Sequence, residues 1–247
     1  MIDHYRSSRL GPALNLVSAW CGKLCQCAAA IAHAPALSGA AALVIGTLTV
    51  LGYAPFQLYP LPILTLAALF GLVLNQATPW RAAVVGFCFG LGLFGVGVNW
   101  IYISLHVYGG MSGPLATIAT ASFCGFLALF PALFGATAWS CRDGGVLLRG
   151  IVLPSCWVAV EWLRGVIFTG FPWLAAGYSQ TPTSPLAGYA PVFGVYGVSL
   201  VVGVSAVLLL AILKHSKTSK RRRIALLLGI WTVGWGVIPP YNRSDRR

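Results

Sequence analysis

The chain has 247 residues, of which 58% are hydrophobic and 8% charged, with a mean hydropathy of +0.82. No soluble domain carries that much apolar surface, so the composition excludes a water-soluble enzyme and points to an integral membrane protein. The net charge of +12 does not indicate nucleic acid, because most basic residues stand in short segments beside apolar runs, where they orient a membrane protein and meet anionic lipid.

Residues 1–35 read as a cytoplasmic or interfacial amphipathic lead-in, since Lys23 and Gln26 interrupt its apolar stretch. The run from Arg6 and Arg9 to Ala32-His33-Ala34 also faintly resembles a cleaved signal peptide. Apolar spans follow at approximately 36–53, 58–75, 82–105, 113–139, 146–168, 192–213 and 224–238. Each approaches the ~20 residues that carry a helix across hydrocarbon. Turn chemistry separates them at Ala54-Pro55, Thr78-Pro79, Gly109-Gly110, Gly144-Gly145 and the Pro-rich stretch 181–191. The runs are apolar on both parities, which argues against the dyad alternation of a β-barrel, and lipid excludes open sheets. The expected fold is an all-α integral membrane bundle of about seven transmembrane helices, one domain over 36–238, with a short periplasmic tail at 239–247.

Lys and Arg in the loops set the orientation. One set of loops holds nine: Arg81, Arg142, Arg149, Lys214, Lys217, Lys220, Arg221, Arg222 and Arg223. The alternate loops, 54–57, 106–112 and 169–191, hold none. The basic side is expected to face the cytoplasm, with the N-terminus cytoplasmic and the C-terminus periplasmic. Arg243, Arg246 and Arg247 in the tail run against the rule.

The third span has a small-residue face, Gly86, Gly90 and Gly97, suited to close helix approach in lipid. It ends in Asn99-Trp100-Ile101-Tyr102. Trp100 and Tyr102 suit an aromatic belt at the outer boundary, and Asn99 suits a hydrogen bond to a neighbouring helix. The seven cysteines suggest reduced thiols: Cys88, Cys124 and Cys156 fall within spans, and Cys21, Cys25 and Cys27 lack metal-site spacing to His33. No metal site and no cofactor is expected.

Glu161 is one of four acidic residues and the only Glu; it sits in an apolar run three residues before Arg164. Counted from Arg149, the two lie about 18 Å and about 22 Å along a helix, toward the outer leaflet. Residues three apart share a helix face, so a direct ion pair is expected, and charged groups in hydrocarbon are candidates for function. The alternative is a structural pair that locks two helices. Pro154 is a candidate kink below them. The next segment, Thr169 to Gln180, has no charge, three aromatics, two glycines and a polar end. It is expected to lie along the outer interface with its rings among headgroups and its polar tips wet, in contact with a phospholipid or lipidated substrate. Candidate lipid-contacting residues are Glu161, Arg164, Trp173, Tyr178, Gln180, Asn99, Trp100 and Tyr102.

The combination Glu161-x-x-Arg164-Gly165, Thr169-Gly-Phe-Pro-Trp-Leu174 and Gly177-Tyr-Ser-Gln180 resembles the membrane domain of apolipoprotein N-acyltransferases. Gly52-Tyr-Ala-Pro-Phe56, Gly86-Phe-Cys-Phe-Gly90, Gly95-Val-Gly-Val-Asn-Trp100 and Gly109-Gly-Met-Ser-Gly-Pro114 agree in order and spacing. The resemblance runs from about residue 45 to 213, more weakly to 238. It implies a multi-pass protein of the bacterial inner membrane. The implied activity is transfer of an acyl chain from a phospholipid donor to the α-amine of a lipoprotein's diacylglyceryl-cysteine. The family's chemistry resides in a nitrilase-like domain with a Glu-Lys-Cys triad, and nothing in these residues matches it. No residue is expected to be catalytic, and His4, His33, His106 and His215 are isolated. The expectation is therefore a membrane portion, inactive alone, from a truncated gene or a split enzyme whose nitrilase-like partner is a separate chain. A small transporter or lipid-handling scaffold is the reading from another class.

Overall fold

The computed structural model describes residues 34–214 and 217–237. Most of the expected lead-in, the tail 239–247 and Cys21, Cys25, Cys27, His4, His33 and His215 lie outside the described residues. Within them the chain is helical, with no strand. The helices are α1 (Pro35–Thr49), α2 (Pro60–Leu74), α3 (Pro79–Gly97), α4 (Gly113–Ala138), α5 (Val146–Val166), α6 (Ala190–Lys214) and α7 (Lys217–Val237). Proline opens α1, α2, α3 and α4, where its missing N–H costs nothing. Thr78 caps α3 by accepting from the Arg81 amide at 3.2 Å.

Length and composition sort these helices. The stretches Pro79–Gly97, Gly113–Cys141 and Pro185–Leu213 are long and apolar enough to cross a membrane. The apolar runs Ala36–Gly52 and Pro60–Leu74 are shorter. Helix α5 is long enough, but Arg149, Glu161 and Arg164 lower its hydropathy. All three side chains are turned to partners inside the protein. Pro154 lies within a continuous α5 and packs on Gly203 of α6, where the absent side chain makes room for its ring.

Helix α3 is the centre of one half of the bundle. A Cβ at Gly86 would overlap the Pro131 carbonyl of α4, one at Gly90 would press on Ala128, and one at Gly135 would overlap the Ala82 carbonyl. On the other side, Gly46 of α1 and Gly92 of α3 bring those two backbones together in the same way. The small-residue face expected at Gly86 and Gly90 is therefore an interhelical seam. Elsewhere α5 and α2 pack on α6, and α7 is tied to the 185–189 turn by the Tyr189 hydroxyl, which donates to the Ile230 carbonyl at 2.8 Å.

The third expected span, 82–105, is not one helix. It stops at Gly97, and the chain resumes as a short helix Trp100–Ile103 and a π-turn Ser104–Tyr108. The Leu174 side chain packs against the end of α3, in the space that a Cβ at Gly97 would need.

The core contains an aromatic knot around Trp157 of α5. Its ring lies 6.4 Å from that of Phe70 (α2), 6.0 Å from Phe89 (α3) and 5.2 Å from Phe134 (α4). Three helices thus fix the direction of the Trp157 indole N–H, which points to Glu161.

Candidate functional site

Glu161 and Arg164 stand on the last turns of α5, each 3% exposed. A buried charge is tolerable only with hydrogen-bond partners. Glu161 Oε1 accepts from the Trp157 indole at 2.8 Å and from the Ala176 amide at 2.8 Å. Arg164 Nη1 donates to the carbonyl of Phe171 at 2.7 Å and to that of Trp173. The expected direct ion pair is not formed. Among the described residues the ion pair within 4.0 Å is Arg142–Asp143, at 3.3 Å on the basic side. The guanidinium instead reaches past the end of α5, where the returning chain presents carbonyls that no helix satisfies.

Other elements hold the same segment. The Tyr53 hydroxyl donates to the Leu174 carbonyl at 2.9 Å. Ser199 Oγ of α6 accepts from the Gly177 amide at 2.8 Å, and Gln180 Nε2 donates to the Tyr59 carbonyl at 3.0 Å. Gly177 is required for the second of these contacts, because a Cβ there would overlap the Val195 carbonyl of α6. Residues 171–180 are thus clamped by Tyr53, Glu161, Arg164, Ser199 and Gln180.

The clamped segment and the turn leading into it contain unfavourable backbone conformations. Phe168 (φ 54°), Gly170 (φ 76°) and Leu174 (φ 60°) lie in the left-handed region, which costs a side-chain-bearing residue roughly 1–2 kcal/mol. At Leu174 the cost is offset by burial of the side chain against Gly97 and by the bond from Tyr53.

Between these anchors the segment shows two faces. Leu174, Ala175, Ala176 and Gly177 point inward, while Trp173 (51% exposed) and Tyr178 (46%) face outward. Trp173 lies against Trp100, ring centroids 5.7 Å apart, and is followed inward by Phe171 at 6.3 Å and Phe123 at 5.1 Å from Phe171. Tyr102 pairs with His106, whose Nδ1 lies 2.7 Å from the Met111 carbonyl oxygen. The structure therefore gathers Trp100 and Trp173 into one outer aromatic rim. It corrects two expectations. Gln180 is 0% exposed, so the polar end of the segment is an internal anchor rather than a wet tip. Asn99 is exposed and its side chain bonds no described residue, so it joins no helices.

Beside the clamp lies a small cavity lined by Leu93, Phe94, Phe130, Pro131, Trp157, Val160, Glu161, Arg164 and Leu174. No three His, Cys, Asp or Glu side chains gather among the described residues. The described thiols are Cys88, Cys124, Cys141 and Cys156, all free. Cys124 Sγ donates to the Phe94 carbonyl at 3.6 Å, deep in the bundle. None of the four has a Lys or His as a hydrogen-bond partner among the described residues, so none has a base in place.

Residues 45–208 match the family described as the apolipoprotein N-acyltransferase N-terminal domain. The chain belongs to that family. It is 49% identical over 199 residues to the apolipoprotein N-acyltransferase of Nitrosomonas europaea, an alignment covering 80% of this chain and 39% of that protein. The Methylococcus capsulatus enzyme is 46% identical over 187 residues, 75% of this chain and 36% of the relative. That of Pseudomonas syringae pv. tomato is 41% identical over 197 residues, 78% and 38%. The chain thus spans less than two fifths of the length of each of these relatives, and what it shares with them is their N-terminal membrane region.

Sequence reasoning found Glu161, Arg164, Trp173 and Gln180 but missed Trp157, Tyr53 and Ser199. Trp157 was within reach, since it precedes Glu161 by four residues and so shares its helix face. Tyr53 lies inside a motif already singled out, though nothing in one sequence pairs it with Leu174. Ser199 sits in an apolar helix with no local signal.

Proposed function

We propose that this chain is the lipid-engaging membrane portion of a phospholipid-dependent acyltransferase of the bacterial inner membrane. The substrates of this reading are a phospholipid acyl donor and a lipoprotein bearing an N-terminal diacylglyceryl-cysteine. The membrane domain is assigned to 36–238, with the basic loops in the cytoplasm and the 169–191 side in the periplasm. What supports this reading most is the clamped segment. Five buried polar side chains fix residues 171–180 so that Trp173 and Tyr178 are displayed outward beside Trp100, at the end of the bundle that has no Lys or Arg in its loops. Trp and Tyr rings are the side chains that settle at a lipid headgroup boundary. An uncharged aromatic rim accepts a lipidated chain end without desolvating an ion.

In this reading Trp173, Tyr178, Trp100 and Tyr102 contact lipid, whereas Glu161, Arg164 and Gln180 act by holding the segment that carries them. Among the described residues no cysteine has a base in place, and this reading assigns acyl transfer to a nitrilase-like domain, on this polypeptide or another. The test places the purified 247-residue chain in nanodiscs with a photoactivatable phospholipid and, separately, a diacylglyceryl-cysteine peptide. Crosslinks are expected within 100–112 and 168–180, with no N-acylation of the peptide. Crosslinks spread evenly over the lipid-facing helices would refute the lipid platform. Turnover by the chain alone would refute the assignment of the chemistry elsewhere.

A further inference from the structure

The outer half of α7 is fastened to the clamped segment through a closed circuit of contacts. The Tyr189 hydroxyl donates to the Ile230 carbonyl at 2.8 Å, and one turn further along α7 Gly234 lets the Pro185 carbonyl approach the helix. A Cβ at Gly234 would lie 2.6 Å from that oxygen and 2.9 Å from the Tyr189 ring. The 185–189 turn is held to the clamp as well. The Ser184 amide donates to the Gln180 carbonyl at 2.9 Å, and Ser184 Oγ accepts from the Leu186 amide at 3.1 Å. Gln180 closes the circuit: its side chain donates to the Tyr59 carbonyl at 3.0 Å, and the Tyr59 ring lies 6.3 Å from that of Trp231 on α7. Gln180, Ser184 and Leu186 are all buried, so these members pack without slack. The other face of α7 is open, with Leu228, Val233 and Trp235 more than half exposed.

We propose that α7 is a positioning element for the aromatic rim, with Tyr189 as the residue that transmits its position to residues 171–180. A helix pinned in this way cannot slide along its axis or tilt outward without carrying the 185–189 turn with it or breaking the Tyr189 bond. Movement of the turn reaches Gln180 through Ser184, and Gln180 is an anchor of the segment that displays Trp173 and Tyr178. Close-packed, hydrogen-bonded elements pass such a shift on because they have discrete arrangements. Coupling of this kind is reciprocal, so whatever loosens α7 loosens the clamp, and whatever loosens the clamp at Gln180 loosens α7. The coupling rests on the geometry alone; its effect on lipid rests on the reading under Proposed function.

The test uses the 247-residue chain in nanodiscs, with hydrogen–deuterium exchange and photoactivatable phospholipid as separate readouts. Tyr189→Phe keeps the ring and removes one neutral hydrogen bond, so exchange over 171–180 is expected to rise about two- to tenfold. Gln180→Ala is expected to speed exchange over 230–237 in the same direction. Leu228→Ala, on the open face of α7, should leave 171–180 unchanged, and peptides within α3 should keep their protection in all three variants. Faster exchange of 185–189 and 230–237 in Tyr189→Phe with 171–180 unaltered would overturn the proposal. A rise shared with α3 would overturn it too, as would unchanged exchange over 230–237 in Gln180→Ala. Crosslinking then separates the coupling from the lipid reading, and Tyr189→Phe is expected to lower it within 168–180. Faster exchange over 171–180 with crosslinking unchanged upholds the coupling and counts against lipid contact at the rim.

Discussion

Arg164→Met keeps the aliphatic stem of the side chain and removes every donor from the clamp's central member. Two hydrogen bonds are lost, to the Phe171 and Trp173 carbonyls. Bonds from a charged donor contribute ~1.5–3 kcal/mol each, so the closed form of segment 171–180 loses about 3–6 kcal/mol. At ~1.4 kcal/mol per decade, that raises the population of the open segment by roughly 10²- to 10⁴-fold, up to the ceiling set by global unfolding. The measurement is hydrogen–deuterium exchange of the chain in nanodiscs. The reporters are the Ala176 amide, bonded to Glu161, and the Gly177 amide, bonded to Ser199. Peptides over 171–180 are expected to exchange faster by that factor, while peptides within α3 keep their protection. Unchanged exchange in 171–180 would refute the clamp. An equal rise across the whole chain would show that Arg164 supports the bundle at large and not this segment.

Three further perturbations probe separate parts of the same structure. Tyr53→Phe removes one neutral hydrogen bond to Leu174 and is expected to cost ~0.5–1.5 kcal/mol, seen as a smaller exchange increase confined to the same segment. Gly86→Leu drives a side chain into the Pro131 carbonyl; overpacking of this kind costs typically ~1–3 kcal/mol, so the midpoint of thermal unfolding in detergent should fall, and an unchanged midpoint would remove the α3–α4 seam. Trp173→Ala deletes a half-exposed ring whose pairing with Trp100 is worth ~0.5–1.5 kcal/mol, so stability should change little while photocrosslinking to phospholipid near 168–180 drops; unaltered crosslinking would take Trp173 out of the lipid contact.

What one sequence made legible followed from periodicity and from residue types that lipid penalises. Gly86 and Gly90, four apart, could be placed on one face, and they do lie against α4. Glu161 and Arg164 stood out because charge in an apolar run needs a reason. Their geometry was not legible, because the i, i+3 rule describes neighbours on a helix surface and takes no account of the chain that returns over its end. Here the returning carbonyls of Phe171 and Trp173 compete for the guanidinium and win, and Arg164 Nη1 donates to both. The packing of Leu174 on Gly97 was hidden for the same reason, as the two residues stand 77 positions apart in the chain. Gln180 was misplaced outward because polarity alone was used to place it, whereas its amide closes a contact with Tyr59 that only the fold creates.

The seams on both sides of α3 also constrain motion. Gly46 and Gly92 fasten it to α1 backbone to backbone, and Gly86, Gly90 and Gly135 fasten it to α4, so these three helices shift only as a slab. Any breathing that opens the cavity next to Glu161 must therefore come from the opposite wall, by α5 tilting or by residues 171–175 lifting off.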